Sequence, residues 1–170
     1  MTDFKSPKLF TVRSQERSLS NQALLSLLEA VLSKGFPFRF KAKGMSMSPF
    51  IRNGDVITIT SFKQHGPRLG DVVAFKRPET GKLVIHRVVA IKGNRAYILG
   101  DSIPNKLDGI FELNELLGHV TCIKRGQKRI WFGLGPERIL IAILSRTRLL
   151  IPLRVCLASL RNRFKSREVS

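Results

Sequence analysis

A turn serine, a strand histidine and two loop aspartates follow one another in this chain, and together those side-chain types can cleave an amide bond. Ser46 lies in the stretch Lys43-Gly44-Met45-Ser46-Met47-Ser48-Pro49-Phe50-Ile51-Arg52-Asn53-Gly54-Asp55. It follows an alternating segment, in a turn opened by a glycine, between two methionines and ahead of a proline. A hydroxyl on such a turn is accessible and its own backbone N–H faces the same cleft. One residue then offers both a nucleophile and an oxyanion donor. His86 stands in Val84-Ile85-His86-Arg87-Val88. An ordinary imidazole is largely unprotonated at neutral pH, and a positioned base contributes about 10²–10⁴-fold to a rate. Such a base gains from a carboxylate that fixes its tautomer and stabilises the imidazolium. Asp101 and Asp108, in Gly100-Asp101-Ser102-Ile103-Pro104-Asn105-Lys106-Leu107-Asp108-Gly109, are the two candidates. Taken singly, each of these is an ordinary turn serine, strand histidine or turn acid. Their order is what carries information.

The elements that must position them are short and β-like. Phe36, Phe38 and Phe40 alternate with Arg39 and Lys41, which predicts a strand with one apolar face turned to a core. Further β-like runs cover 55–60, 71–75, 82–91, 95–99, 116–124 and 128–132, most of them set off by glycine-containing turns. No β–α alternation occurs, so a doubly wound fold is excluded and an antiparallel, coiled or barrel-like sheet is expected. Ahead of the sheet, Leu24, Leu27, Leu28, Val31 and Leu32 fall at helical spacing over 21–33. Ser20 or Asn21 can cap the start, and Gly35 ends the helix. Residues 1–17 read as a flexible leader, polar and charged, with no apolar targeting stretch.

The 170 residues carry 30 Lys+Arg against 12 Asp+Glu, a net charge of +18. The hydrophobic fraction of 43% excludes a disordered chain, and the charge points to an anionic partner. Two cysteines, Cys122 and Cys156, exclude a disulfide framework. His65, His86 and His119 are dispersed without metal-ligand spacing, so neither a metal nor a cofactor is expected. Residues 136–170 hold eight basic and two acidic residues. Within them, Ile139 to Leu160 is apolar and helix-prone, broken at Pro152. As a bilayer span it would place Arg146, Arg148 and Arg154 in the segment, at about 2.5–3.5 kcal/mol each near the centre. A basic amphipathic helical tail lying on an anionic membrane surface is the better reading.

The ordered set GxSMxP, NGD, GDVVAF, IHRVV and LGD…D resembles the type I signal peptidases and the related LexA-type self-cleaving repressors, over about residues 40–125. The resemblance implies a mainly β, coiled antiparallel sheet over 18–135, with an N-terminal helix and a C-terminal helical appendage. It implies a serine endopeptidase in which Ser46 is the nucleophile; Ser48, the rival hydroxyl, falls on a variable position. Gly44, Met45, Met47 and Pro49 would flank the bound substrate. His86 falls where most bacterial signal peptidases and LexA have a lysine base. The endoplasmic-reticulum, archaeal and sporulation-type enzymes have His followed by Arg there, and this chain is similar to that branch. Asp108 matches the closing acid of their Gly-Asp-Asn-Asn box with a one-residue shift and is favoured as the partner of His86, with Asp101 organising the loop. Gly44 stands where signal peptidases often have a serine that donates to the oxyanion, as it does in LexA-type proteins.

The implied substrate is a leader, signal or precursor peptide, extended and with small residues before the cut. A LexA-like regulator is the first alternative, but residues 1–35 are short for a helix-turn-helix domain and nucleic acid is not the expected partner. A non-catalytic, membrane-associated adaptor of the same fold is the second. The leader's polarity points to a cytoplasmic protein or one peripheral on the inner membrane.

Overall fold

The computed structural model describes residues 10–11, 20–62, 65–102 and 108–147. The helix α1 (Asn21–Ser33) begins where Ser20 accepts a hydrogen bond from Ala23 N–H at 3.2 Å. It ends at Gly35, whose positive φ lets the next N–H, of Phe36, reach back to the Val31 carbonyl. Leu25, Leu28 and Leu32 are its buried face, with Leu24, Leu27 and Val31 at the edges of the same stripe.

Among the described residues nine strands form one curled antiparallel half-barrel. They are β1 (Phe10–Thr11), β2 (Phe38–Lys41), β3 (Val56–Thr60), β4 (Val72–Lys76), β5 (Leu83–Lys92), β6 (Arg95–Leu99), β7 (Gly109–Glu112), β8 (Leu116–Arg125) and β9 (Lys128–Ile130). The order across the sheet is β1-β2-β3-β8-β4-β5-β6-β7, and β9 pairs with β8. Every pairing is antiparallel except β1 with β2. Register shifts in β3, β4 and β5 add the local twist that a curled sheet needs.

β4 is buried on both faces, which is why it reads as a continuous apolar run. Val72 and Ala74 join a core with α1, Phe38, Ile57 and Ile123; Val73 and Phe75 join a second core with Val88, Ile98 and Phe111. The Phe38 ring is wholly buried, as the alternation of its segment predicts.

Two strands fall outside the sequence expectations. Phe10–Thr11, inside the segment read as leader, pairs in parallel with Phe38 and Arg39. β7 carries only Ile110 and Phe111 as adjacent apolar residues, so it has no period to detect; Phe111 enters the second core while Ile110 stays exposed. At the other end α2 (Arg138–Arg146) packs Ile141, Ala142 and Ser145 inward. The expected continuation to Leu160 and the rest of the basic tail lie outside the described residues, as do most of positions 1–17. Among the described residues no helix is long and apolar enough to cross a membrane.

Candidate active site

Ser46 sits half-buried in the turn between β2 and β3. The base of this turn is tied off by the chain itself. Ala42 N–H donates to the Asp55 carbonyl and Gly54 N–H to the Ala42 carbonyl, while Gly44 N–H is held by Asn53 Oδ1. The Asp55 carboxylate accepts from Arg52 N–H and from Nε and Nη2 of Arg125, whose Nη2 also reaches the Phe50 carbonyl. Met47 and Ile51 anchor the turn in the first core; Met45 is exposed on its rim. The Ser48–Pro49 peptide bond is cis. Among the described residues the backbone N–H of Ser46 makes no hydrogen bond.

His86 is buried on β5, opposite Val73 of β4 and on the face of the second core, where Phe75 lies beside its ring. Its Nδ1 lies 2.6 Å from Asp108 Oδ2. The approach is not aligned with a ring N–H, so it is a short electrostatic contact and not a linear hydrogen bond. Asp108 is held from two more sides. Arg77 Nη2 donates to Oδ1 at 2.6 Å, and Gly100 N–H donates to Oδ2 at 3.1 Å. Burial alone would raise this carboxyl. The His86 contact, the His86 and Arg77 charges and the Gly100 N–H outweigh burial and hold it below the usual carboxylate range.

Gly100 joins the Ser46 turn to the histidine. A Cβ on it would stand 3.0 Å from the Ser46 carbonyl oxygen and 3.1 Å from His86 Nε2. The free nitrogen of the imidazole and the backbone of Ser46 thus converge on one point, left open by the missing side chain. No hydrogen bond links Ser46 Oγ to His86 among the described residues. Such contacts are commonly loose without substrate and tighten around it. Ser102 supplies a second link: its N–H donates to the Ser46 carbonyl at 2.8 Å and its hydroxyl to the Met45 carbonyl.

Asp101 points elsewhere. Its carboxylate takes Nε and Nη2 of Arg87 at 2.9 and 2.7 Å in a fully buried pair. Arg87 Nη1 donates to the Gly70 and Gly133 carbonyls, and its guanidinium lies over the Phe50 ring. Successive strand residues face opposite sides of a sheet. His86 and Arg87 are therefore divided between two tasks, one toward Ser46 and Asp108, the other toward Asp101 and α2.

A family model for the signal peptidases of peptidase family S26 matches residues 17–104. This chain belongs to the S26 signal peptidase family. The match takes in Ser46, His86 and Asp101 and stops short of Asp108. Membership implies a serine peptidase, and precursor proteins as the family's substrates. No curated protein matches the chain.

Of the residues singled out in the sequence of this S26 member, Ser46, His86 and Asp108 come together around Gly100. Gly44 adopts a positive φ with open space where a side chain would be. Met45 and Pro49 border the turn, and Met47 is buried beneath it. Arg77 had no sequence signal, and Gly100 and Ser102 stood in the Gly100-Asp101-Ser102 box without a task of their own, because each meets a residue distant in the chain. His119 lies two strands from His86 across Val73, stacked on Phe62. Burial, opposed by the Asp71 charge and aided by Arg138, lowers its pKa.

Proposed function

We propose that this protein is a serine endopeptidase of the signal-peptidase type, working with a Ser46 nucleophile and a His86 base. Asp108 orients the base, as in the family branch whose members have His followed by Arg. In this reading Ser46 Oγ attacks the scissile carbonyl carbon and His86 Nε2 takes the hydroxyl proton. The imidazolium is stabilised by the Asp108 carboxylate against Nδ1. The Ser46 N–H meets the oxyanion. Collapse breaks the C–N bond, and the amine leaves with the proton from His86. Water, deprotonated by the same imidazole, then releases the acyl group and restores Ser46.

The observation that carries this reading is the convergence of the Ser46 backbone and His86 Nε2 on the open side of Gly100, with Asp108 on the opposite ring nitrogen. Position 44 offers no hydroxyl to the oxyanion, and one such donor is worth about 10²–10³ in rate. A slow enzyme with a dedicated leader or precursor substrate follows, with Gly44, Met45 and Pro49 bordering the bound peptide.

Digestion of precursor-derived peptides with small residues before the cut, read by mass spectrometry, tests it. Cleavage is expected from the wild type and lost in both Ser46→Ala and His86→Ala with the fold retained. Undiminished cleavage in either variant rules out this pair. Absence of cleavage together with absence of Ser46 labelling by a fluorophosphonate favours the non-catalytic adaptor.

A further inference from the structure

Arg39, Lys41, Lys124 and Arg129 come from three separate parts of the sequence and stand on one face of the sheet. The strand registers join them. Lys41 of β2 pairs with Val56 of β3, Val56 with Lys124 of β8, and Lys124 with Arg129 of β9. Three cations and one valine thus form a continuous row across four strands. The next row runs from Arg39 through Thr58 to Cys122. The alternate residues Phe38, Ile57, Ile59 and Ile123 belong to the first core, together with the buried side of α1, and Phe40 and Ile130 pack against that core. Successive strand residues point to opposite faces, so the two rows lie on the outer face. Lys41, Lys124 and Arg129 are exposed, and Arg39 is half-buried with its Nε donating to Thr58 Oγ1 at 3.4 Å.

The face carries positive charge without relief. β2, β3, β8 and β9 contain no Asp or Glu. Asp55, the acid next to β3, is buried and taken by Arg125 and the Arg52 N–H. Among the described residues no salt bridge involves any of the four cations. Such a face selects an anionic partner. Between the cations lie Val56, Thr58 and Cys122, which give bases nothing to stack on, and the neighbouring Trp131 ring is already covered by the Arg129 guanidinium at 3.8 Å. Along β2 the cations recur every second residue, about 6.8 Å apart, and acidic side chains on one side of an extended peptide recur at the same interval. Past Lys41 the chain runs through the exposed Lys43 straight into the Ser46 turn.

We infer that the outer face of β2, β3, β8 and β9 is a docking surface for an acidic, extended segment of the precursor substrate, away from the bond that is cut. The identity of the partner rests on the peptidase reading of Ser46; binding to the face is measured without it.

Two fluorescein-labelled peptides are titrated with the full-length Ser46→Ala protein and followed by anisotropy. Both have small residues at the cut; one continues into alternating Glu residues and the other has Gln in their place. The acidic peptide is expected to bind about tenfold tighter and to lose that advantage in high salt. Lys41→Glu with Lys124→Glu is expected to remove the preference. Lys92→Glu with Arg95→Glu, the same change of net charge at the exposed turn between β5 and β6, is expected to keep it. In the wild type, KM for the acidic peptide should be lower by the same factor with kcat alike. Equal binding of the two peptides overturns the surface, as does an equal loss in both double variants. Charge-selective binding without any cleavage by the wild type supports the surface and removes the peptidase reading; cleavage that ignores the Glu residues does the reverse. A single-stranded oligonucleotide or a phosphatidylglycerol vesicle that binds tighter than the acidic peptide, and is released by Lys41→Glu with Lys124→Glu, assigns the face to that polyanion and overturns the proposal.

Discussion

His86 and Asp108 meet at 2.6 Å, Nδ1 to Oδ2, although one stands in the middle of β5 and the other at the entrance to β7. β6 lies between those strands, so the Asp108 carboxylate must reach over the end of β6, where Gly100 N–H and Arg77 receive it. Asp108→Asn keeps the shape but removes the charge that would stabilise an imidazolium. Peptide cleavage is expected to fall about 10²–10⁴-fold in kcat with the thermal midpoint little changed. Asp101→Asn is expected to act on stability instead, and steady-state kinetics beside thermal unfolding separates the two.

Gly100→Ala places a methyl group 3.0 Å from the Ser46 carbonyl and 3.1 Å from His86 Nε2, closer than ordinary contacts. The backbone at this position lies outside the glycine-favouring region, so the effect comes from the contact alone. Activity is expected to drop about 10²-fold through displacement of the reacting groups, with a stability loss of about 1–2 kcal/mol. Equal effects on stability and activity, measured by denaturant unfolding and by kcat, would contradict this.

Arg87→Met removes the cation that neutralises Asp101 and leaves the Gly70 and Gly133 carbonyls without their donor. Breaking a buried pair from one side costs about 3–5 kcal/mol. The unfolding midpoint in urea should fall accordingly, and Arg87→Met with Asp101→Leu should recover part of the loss.

Acid sensitivity follows from Asp55 and Asp108, both held below the ordinary carboxylate value of 3.8. For Asp55, burial alone would raise the carboxyl, and hydrogen bonds from Arg125 and Arg52 N–H with their charges outweigh it. A carboxyl with a lowered folded pKa contributes its stabilisation in full above the unfolded value. That contribution is lost as pH falls through the folded value. Arg125→Ala removes the principal partner of Asp55, so stability should fall at neutral pH and depend less steeply on acidification, the two proteins converging in strong acid. Chemical denaturation at a series of pH values from neutral to strongly acidic checks this.

The helix 21–33 and seven of the nine strands among the described residues were legible because their apolar residues repeat with the period of the element or form an unbroken run. β7 was not, since Ile110 and Phe111 are adjacent and only the second is buried. The site divides in the same way. Ser46, His86 and the two acids stood out by residue type and order, whereas Arg77 was one of 30 basic residues and Ser102 one more turn serine. Their significance lies in partners across the fold: Asp108 for Arg77, and the carbonyls of Met45 and Ser46 for Ser102.

The sequence by itself determined the mainly β architecture, the turn that holds Ser46 and the strand that holds His86, because hydrophobic period and turn chemistry are local. Only the tertiary structure shows which side chain each aspartate meets. Asp101 and Asp108 are both loop acids seven residues apart, and it was the family resemblance, not residue type or neighbours, that favoured Asp108 as the partner of His86. Strand alternation sends His86 and Arg87 to opposite faces, and each draws one carboxylate: Arg87 takes Asp101 in a buried bidentate pair, and His86 meets Asp108. A pairing of charges depends on which strands are neighbours, and that neighbourhood exists only once the sheet has closed.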